Sequence, residues 1–207
     1  LYPTLVEWAK DPVEAGGEEI DGTSTVKVDA GLDPTAALTA LAPVRLAVHA
    51  ADRKAQVSAG TTAGAMDAAA RAHGLRFPPM PSSGKWATLG GMAATNAAGA
   101  SAVRSGSVRN WISALEWVDA EGESHRWTRG EAIEQGPRWA ALEGRIRKDE
   151  PAIRARFPRV RKNSSGYAVD AVLDSGDLLD LLIGSEGTLG LITALECRLA
   201  PLPGATA

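Results

Sequence analysis

The chain has 207 residues and a mass of 21.5 kDa, with 22 Lys and Arg against 25 Asp and Glu and a formal charge of −3. This length buries a core without staples, and the acidic balance, with no basic run interleaved with aromatics, excludes a nucleic-acid grip built on phosphate neutralisation. Cys197 stands alone, which excludes an internal disulfide or a thiolate metal cluster, and no apolar run reaches the roughly 18 residues a spanning helix requires.

Cys197 lies in a strand-like alternation, so a packed thiol in a reducing compartment is expected. The opening LYPTLVEWAKD lacks the charged-then-apolar order of a signal peptide, and a cytoplasmic location follows as the expectation, with any membrane association coming through a partner.

Residues Leu1 to Ile20 support at most a short helix, with Pro12, Gly16 and Gly17 interrupting it. Asp21 to Gly31 opens on a Gly-Thr-Ser turn and continues as a short strand through Val26 and Val28. Asp33 and Pro34 cap and start a small-residue helix over Thr35 to Leu41. Val44 to Ala50 and Lys54 to Ala59 read as a β-hairpin around Ala51-Asp52-Arg53. Thr61 to His73 reads as a helix with Thr61 or Thr62 as N-cap, Gly74 past its end, and Ala65, Met66, Ala69 and Ala72 as its apolar face.

Pro78 to Ala100, PPMPSSGKWATLGGMAATNAAGA, is the stretch around which the chain is organised. Nearly every side chain is small, which lets backbone approach a ligand, and glycines allow successive N–H groups to face one concavity, as a pyrophosphate requires. A Gly/Ala-rich loop between two layers is the alternative. Neither the Lys of a Walker loop nor the G-x-G-x-x-G spacing is present.

Ala102 to Asn110 makes a basic turn, and Trp111 to Ala120 is a strand of imperfect alternation that hairpins through Glu121-Gly122 onto Ser124 to Thr128, where His125 faces solvent or polar neighbours. Arg129 to Arg161 is polar and Arg-rich with helical spacing broken by Pro151 and Pro158, and its charges read as a solvated face. Lys162 to Tyr167 is a turn, and Ser175 or Asp177 caps a short helix over Leu178 to Ile183. Gly184 to Gly190 then breaks that helix, and Leu191 to Leu199 is a strand ended by Pro201 and Pro203.

PPMPSS, ATLGGMAATNAAG, VRSGSVRNWISALEWVDAEGE, KNSSGYAVD and DLLDLLIGSEGTLGLITALECRLAPLP follow one another in order. Together they resemble the FAD-binding domain of the FAD-linked oxidases of the vanillyl-alcohol oxidase and p-cresol methylhydroxylase type, in the branch of the D-lactate dehydrogenases and the glycolate oxidase flavin subunit. The resemblance covers about Val44 to Pro203. It implies an α+β fold of two lobes, a mixed small sheet and a larger, mainly antiparallel sheet flanked by helices. Residues 1–60 would be a truncated or degenerate first lobe and 61–207 the second, with the substrate-capping domain of relatives absent.

The resemblance further implies FAD as cofactor. It places Ser82, Ser83, Thr88, Gly90 and Gly91 near the pyrophosphate and ribityl chain, Asn96, Ala98 and Gly99 near the flavin, and Glu186, Gly187, Gly190 and Ile192 along its other segments. The family's first phosphate loop, Arg-Gly-Gly-Gly-Thr-Ser, is reduced here to Asp21 followed by Gly22, Thr23 and Ser24, with Glu18 and Glu19 nearby. The family's Arg-Tyr-Gly turn reads Arg104-Ser105-Gly106, and His49, His73 and His125 match no catalytic position of the family.

The expected function is therefore an FAD-binding domain or subunit of a flavin-dependent oxidoreductase that oxidises a small 2-hydroxy acid by hydride transfer to flavin N5. A partner subunit or capping domain would supply the substrate site. The competing expectation is a non-catalytic scaffold that keeps the fold and binds FAD weakly or not at all.

Overall fold

The computed structural model describes residues 45–131, 136–160, 163–164 and 166–204. The strand expected at 21–31, the helix at 35–41 and the candidate residues Gly22, Thr23 and Ser24 lie outside the described residues.

The hairpin forms as the alternation predicts. β1 (Leu46–His49) pairs antiparallel with β2 (Lys54–Ser58), Val48 opposite Ala55, and β2 buries Ala55 and Val57 while Lys54, Gln56 and Ser58 face outward. α1 (Ala63–Arg71) starts at Thr62, whose Oγ1 accepts the Ala65 amide at 3.2 Å, and Gly74 follows it with φ +69°. Its buried face is Ala63, Met66 and Ala70, not the expected Ala65, Ala69 and Ala72. The rotation is set at the start of the helix, where Ala63 and Gly64 donate their amides to Ala87 O at 2.9 Å and Gly84 O at 2.8 Å. Those two bonds turn positions 63, 66 and 70 toward the sheet.

The organising stretch contains a helix that the sequence reading treated as turns. α2 (Leu89–Ala94) buries Leu89, Met92 and Ala93 against β2 and the strand over Leu191–Arg198. Next come a one-turn helix α3 (Ala102–Ser105), a 3₁₀ turn over Val108–Trp111, and the hairpin of β4 (Ile112–Val118) and β5 (Ser124–Thr128).

β6 (Leu191–Arg198) lies between β2 and β4, completing an antiparallel sheet of order β1-β2-β6-β4-β5. β4 and β6 are covered on both faces, which explains β4's imperfect alternation: a strand buried twice has no polar face. β4 also shifts register against β6 between Ile112 and Ala114 and between Glu116 and Trp117.

α4 (Pro137–Lys148) and α5 (Glu150–Arg156) fill the Arg-rich segment, with Pro151 in the first turn of α5, where a missing N–H costs nothing. Arg145, Arg147 and Arg154 make i,i+4 pairs with Asp149, Glu143 and Glu150 on the exposed side, as a solvated face should. α4 docks through Trp139, which meets Trp127 and Trp117 edge-on at centroid distances of 4.9 and 5.5 Å. His125 stacks on Trp117 at 4.7 Å and its Nε2 lies 2.7 Å from Asp119 Oδ2, so the half-buried ring has the polar neighbour that is one of its two expected settings.

α6 (Val169–Ser175), which the sequence did not announce, precedes α7 (Leu179–Leu182). Asp177 Oδ1 accepts the Leu179 amide at 2.9 Å and Ser175 Oγ the Asp177 amide at 3.1 Å, so both expected capping residues act at this junction. Pro201 does not simply end the chain's strands. β7 (Ala200–Pro201) pairs with β3 (Leu75–Arg76), Pro201 opposite Leu75, on an edge where a proline is tolerated. No helix among the described residues is long and apolar enough to cross a membrane.

Candidate functional site

The loop ahead of α2 is zipped onto the junction between β2 and α1. Gly90 N donates to Ala59 O and Leu89 N to Thr61 O, both at 2.8 Å, and Thr62 and Thr88 form a bridge that sets the two N-caps side by side. Thr88 Oγ1 caps α2 by accepting the Gly91 amide at 3.2 Å, while Ser82, Ser83 and Gly91 stay exposed on this rim.

These glycines are small for two different reasons. A Cβ on Gly90 would sit 2.5 Å from the Ala59 Cβ, and one on Gly99 would sit 2.0 Å from Met80 O. At Gly90 and Gly99 packing against this chain's own Ala59 and Met80 already requires glycine, whatever lies beside the backbone. A Cβ on Gly91 would meet only Thr88 Oγ1, at 3.0 Å, and one on Gly187 would meet nothing within 4 Å. Gly187 has φ +79°, which a residue with a Cβ adopts only under strain.

The far glycine turn closes on the same helix. Gly184 N donates to Ala93 O, which also accepts from Asn96 N at 3.1 Å, and Glu186 N donates to Ala94 O, both turn amides at 2.9 Å on carbonyls of the last turn of α2. Asn96, buried and at φ +46°, follows directly, and its Oδ1 accepts the Arg109 amide at 3.3 Å. The segment after Asn163 joins the turn from the other side, with Tyr167 Oη 2.7 Å from Thr188 Oγ1.

Next to Asn96 lies a cavity of about 270 Å³ walled by Asn96, Ala98, Ala102, Ser107, Asn110 and Asn163 among others. A second, of about 170 Å³, continues it past Asn96, Ser107 and Ser164 to Arg109 and Gly166. Amides, hydroxyls and small apolar groups line the larger cavity, and no charged side chain does so among the described residues.

Of the candidate residues, Asn96 and Ala98 line this cavity, Gly99 follows Ala98, and Ser82, Ser83, Thr88, Gly91, Glu186 and Gly187 belong to the two turns on α2. Gly190 and Ile192 are elsewhere. A Cβ on Gly190 would strike Val118 O at 2.5 Å and the Trp117 ring at 2.6 Å, and Ile192 is buried in β6 opposite Trp117.

Behind the cavity is an ion network that the sequence reading missed. Arg109 donates from Nη1 to Asp180 Oδ1 at 3.1 Å and to the Asp180 carbonyl, and from Nη2 to the Ile183 carbonyl. Arg129 grips the same carboxylate with Nη2 and Nη1 at 2.9 and 3.1 Å, and Ser175 Oγ donates to it at 2.8 Å. Arg129 thus departs from the solvated face to which its segment was assigned. Burial works to raise the Asp180 carboxyl, but the Arg129 hydrogen bonds and charge, with Ser175 and Arg109, outweigh it and hold it below the usual carboxylate range. Burial pulls the Arg109 guanidinium down, only partly offset by Asp180, though a guanidinium stays charged regardless. The available signal was Asp180 itself, a lone charge inside the apolar run LLDLLIG.

Residues 35–128 match a family model described as an FAD binding domain. Over 156 residues the chain is 38% identical to a D-lactate dehydrogenase of Archaeoglobus fulgidus, covering 75% of this chain and 26% of that protein. Over 174 residues it is 29% identical to a D-2-hydroxyglutarate dehydrogenase of Pseudomonas putida, covering 76% of this chain and 17% of that one. Both are proteins of which this chain spans about a quarter or less. In fold it is similar to a solved alkyldihydroxyacetonephosphate synthase, with a TM-score of 0.51 and 18% identity over 80% of this chain and 22% of that one.

The described residues fit FAD. Open space above Gly187, the exposed Gly91 at the start of α2, exposed hydroxyls at Ser82 and Ser83, and an uncharged cavity ringed by amides suit an extended dinucleotide with a flat, polar-edged ring system.

Proposed function

We propose that this chain, whose residues 35–128 match an FAD-binding domain, is the cofactor-holding part of a flavin-dependent dehydrogenase acting on a small 2-hydroxy acid. The observation that carries the proposal is the pair of amide bonds from Gly184 and Glu186 to Ala93 and Ala94, which brings two distant small-residue turns onto one helix, α2, next to the cavity at Asn96. Bound FAD would supply the hydride acceptor at flavin N5.

The chain's own part is to bind, orient and shield. The exposed amide and hydroxyl groups of Ser82 and Ser83 would receive the diphosphate, with Gly91 leaving room for it, and the Asn96, Ser107 and Asn163 side chains would hydrogen-bond the polar edge of the ring system. None of His49, His73 and His125 lines the cleft, so the base and the carboxylate clamp that the reaction requires are assigned to polypeptide outside the described residues or to a partner subunit.

Purified protein should carry the visible absorbance of bound flavin, and added FAD should raise the melting temperature of the flavin-free form. A second reading, a scaffold that keeps the fold without FAD, is favoured by Glu18, Glu19 and Asp21 beside Gly22, Thr23 and Ser24, since acidic charge repels a diphosphate. A colourless protein indifferent to FAD would decide for the scaffold.

A further inference from the structure

Arg109 joins Asn96, which lines both cavities, to the glycine turn that begins at Gly184. Its backbone amide donates to Asn96 Oδ1 at 3.3 Å on one side, and its guanidinium donates to the Ile183 carbonyl, immediately before Gly184, on the other. The guanidinium is in turn fixed by Asp180, which Arg129 and Ser175 hold from behind. The side chain is 13% exposed and lines the smaller cavity.

We propose that Arg109 is a positioning residue of the cleft: its planar fork sets the spacing between the turn at Asn96 and the turn at Gly184, so that the site is formed before a cofactor arrives. The proposal rests on the FAD reading for the identity of that cofactor. The geometry requires arginine in particular. A lysine at 109 would keep a positive charge for Asp180, but one ammonium on a flexible stem does not span the Asp180 and Ile183 oxygens as a rigid fork does. The two turns would then be held only by the Gly184 and Glu186 amide bonds, and a cleft correctly spaced in about a tenth of the molecules binds about tenfold more weakly.

The test uses the full 207-residue chain and two readouts, amide hydrogen exchange at Gly184 and Glu186 without FAD, and the Kd for FAD. Arg109→Lys should speed exchange at both amides and weaken FAD, each by about tenfold. Glu196→Gln is the comparator. It loosens a buried carboxylate bonded to Lys54 and Ser113 in the sheet, and should lower the melting temperature without changing either readout. Should Arg109→Lys not fold, Ser175→Ala, which relaxes Asp180 from behind, should speed the same two amides by about twofold.

Wild-type exchange at Gly184 and Glu186 in these variants, or equal changes in Glu196→Gln, would overturn the role of Arg109. Faster exchange in Arg109→Lys, in a chain whose wild type takes up no FAD, would leave that role standing and remove the FAD reading instead.

Discussion

Gly184 donates its amide to the carbonyl of Ala93 at 2.9 Å, across 91 residues of sequence. The bond is local chemistry at the end of a short helix, where carbonyls need donors. Its consequence is global, because it ties two distant turns to the one helix α2.

Two neighbouring glycines separate packing from ligand access. Gly90→Ala puts a Cβ 2.5 Å from that of Ala59, and overpacking of this kind costs about 1–3 kcal/mol. Its melting temperature should fall by roughly 3–10 °C. In Gly91→Val the new Cβ meets only Thr88 Oγ1, at 3.0 Å, and a valine is about as acceptable to a helix as the glycine it replaces, so the cost should be limited to loosening the Thr88 cap, about 0.5–2 kcal/mol, while FAD is lost. Flavin content per folded molecule, compared with thermal denaturation, distinguishes the two. Undiminished flavin in Gly91→Val would count against that rim as the diphosphate site.

Acid should undo the buried ion network. In Asp180 and Glu196 burial works to raise the carboxyl, and donors outweigh it: Arg129, Ser175 and Arg109 for the first, Lys54, Ser113 and Gln56 for the second. Both folded-state values are thus depressed. The stabilisation is complete above the unfolded-chain values of about 3.9 and 4.3, and is lost as pH falls through the lower folded ones. Urea unfolding across pH should show this acid limb. Asp180→Asn leaves two arginines short of a counter-charge, and should cost about 3–5 kcal/mol at neutral pH while flattening the limb. An unchanged acid slope in Asp180→Asn would show that Asp180 does not carry it.

Much of the fold was legible because its signals are local. The hairpin over β1 and β2, the Thr62 cap of α1 and the β4–β5 hairpin follow from alternation and turn residues that need no distant partner. What was not legible was set by tertiary contact. The α1 face turned on two amide bonds to Gly84 and Ala87, α2 hid in a run of small residues, and Gly90 and Gly99 answer to Ala59 and Met80. Arg109 and Arg129 look like any surface arginines until Asp180, 71 and 51 positions away, is placed between them.

Cys197 should be inert. Burial, with the Glu196 charge adding to it, pushes the thiol up to about 12, and the residue is fully buried in the central strand. A thiol reagent at pH 8 should label it only at the rate of unfolding, as a buried thiol lacking thiolate character reacts only when exposed. Rapid labelling of native protein would mean that the sheet opens locally at β6.

His125→Ala should test whether the tryptophan cluster is separate from the cleft. The ring stacks on Trp117 and bonds Asp119, so its loss should cost about 0.5–1.5 kcal/mol. FAD affinity should not change, and a loss of affinity beyond that of a matched destabilised variant would place the cluster in the site.

The most direct measurement is a thermal melt of flavin-free chain titrated with FAD. FAD at a hundredfold its Kd should stabilise by about 2.7 kcal/mol, raising the melting temperature of a chain this size by roughly 5–10 °C, with the shift growing as ligand is added. A melting temperature that stays fixed across the titration, with no flavin retained after gel filtration, would contradict the assignment of this cleft to FAD.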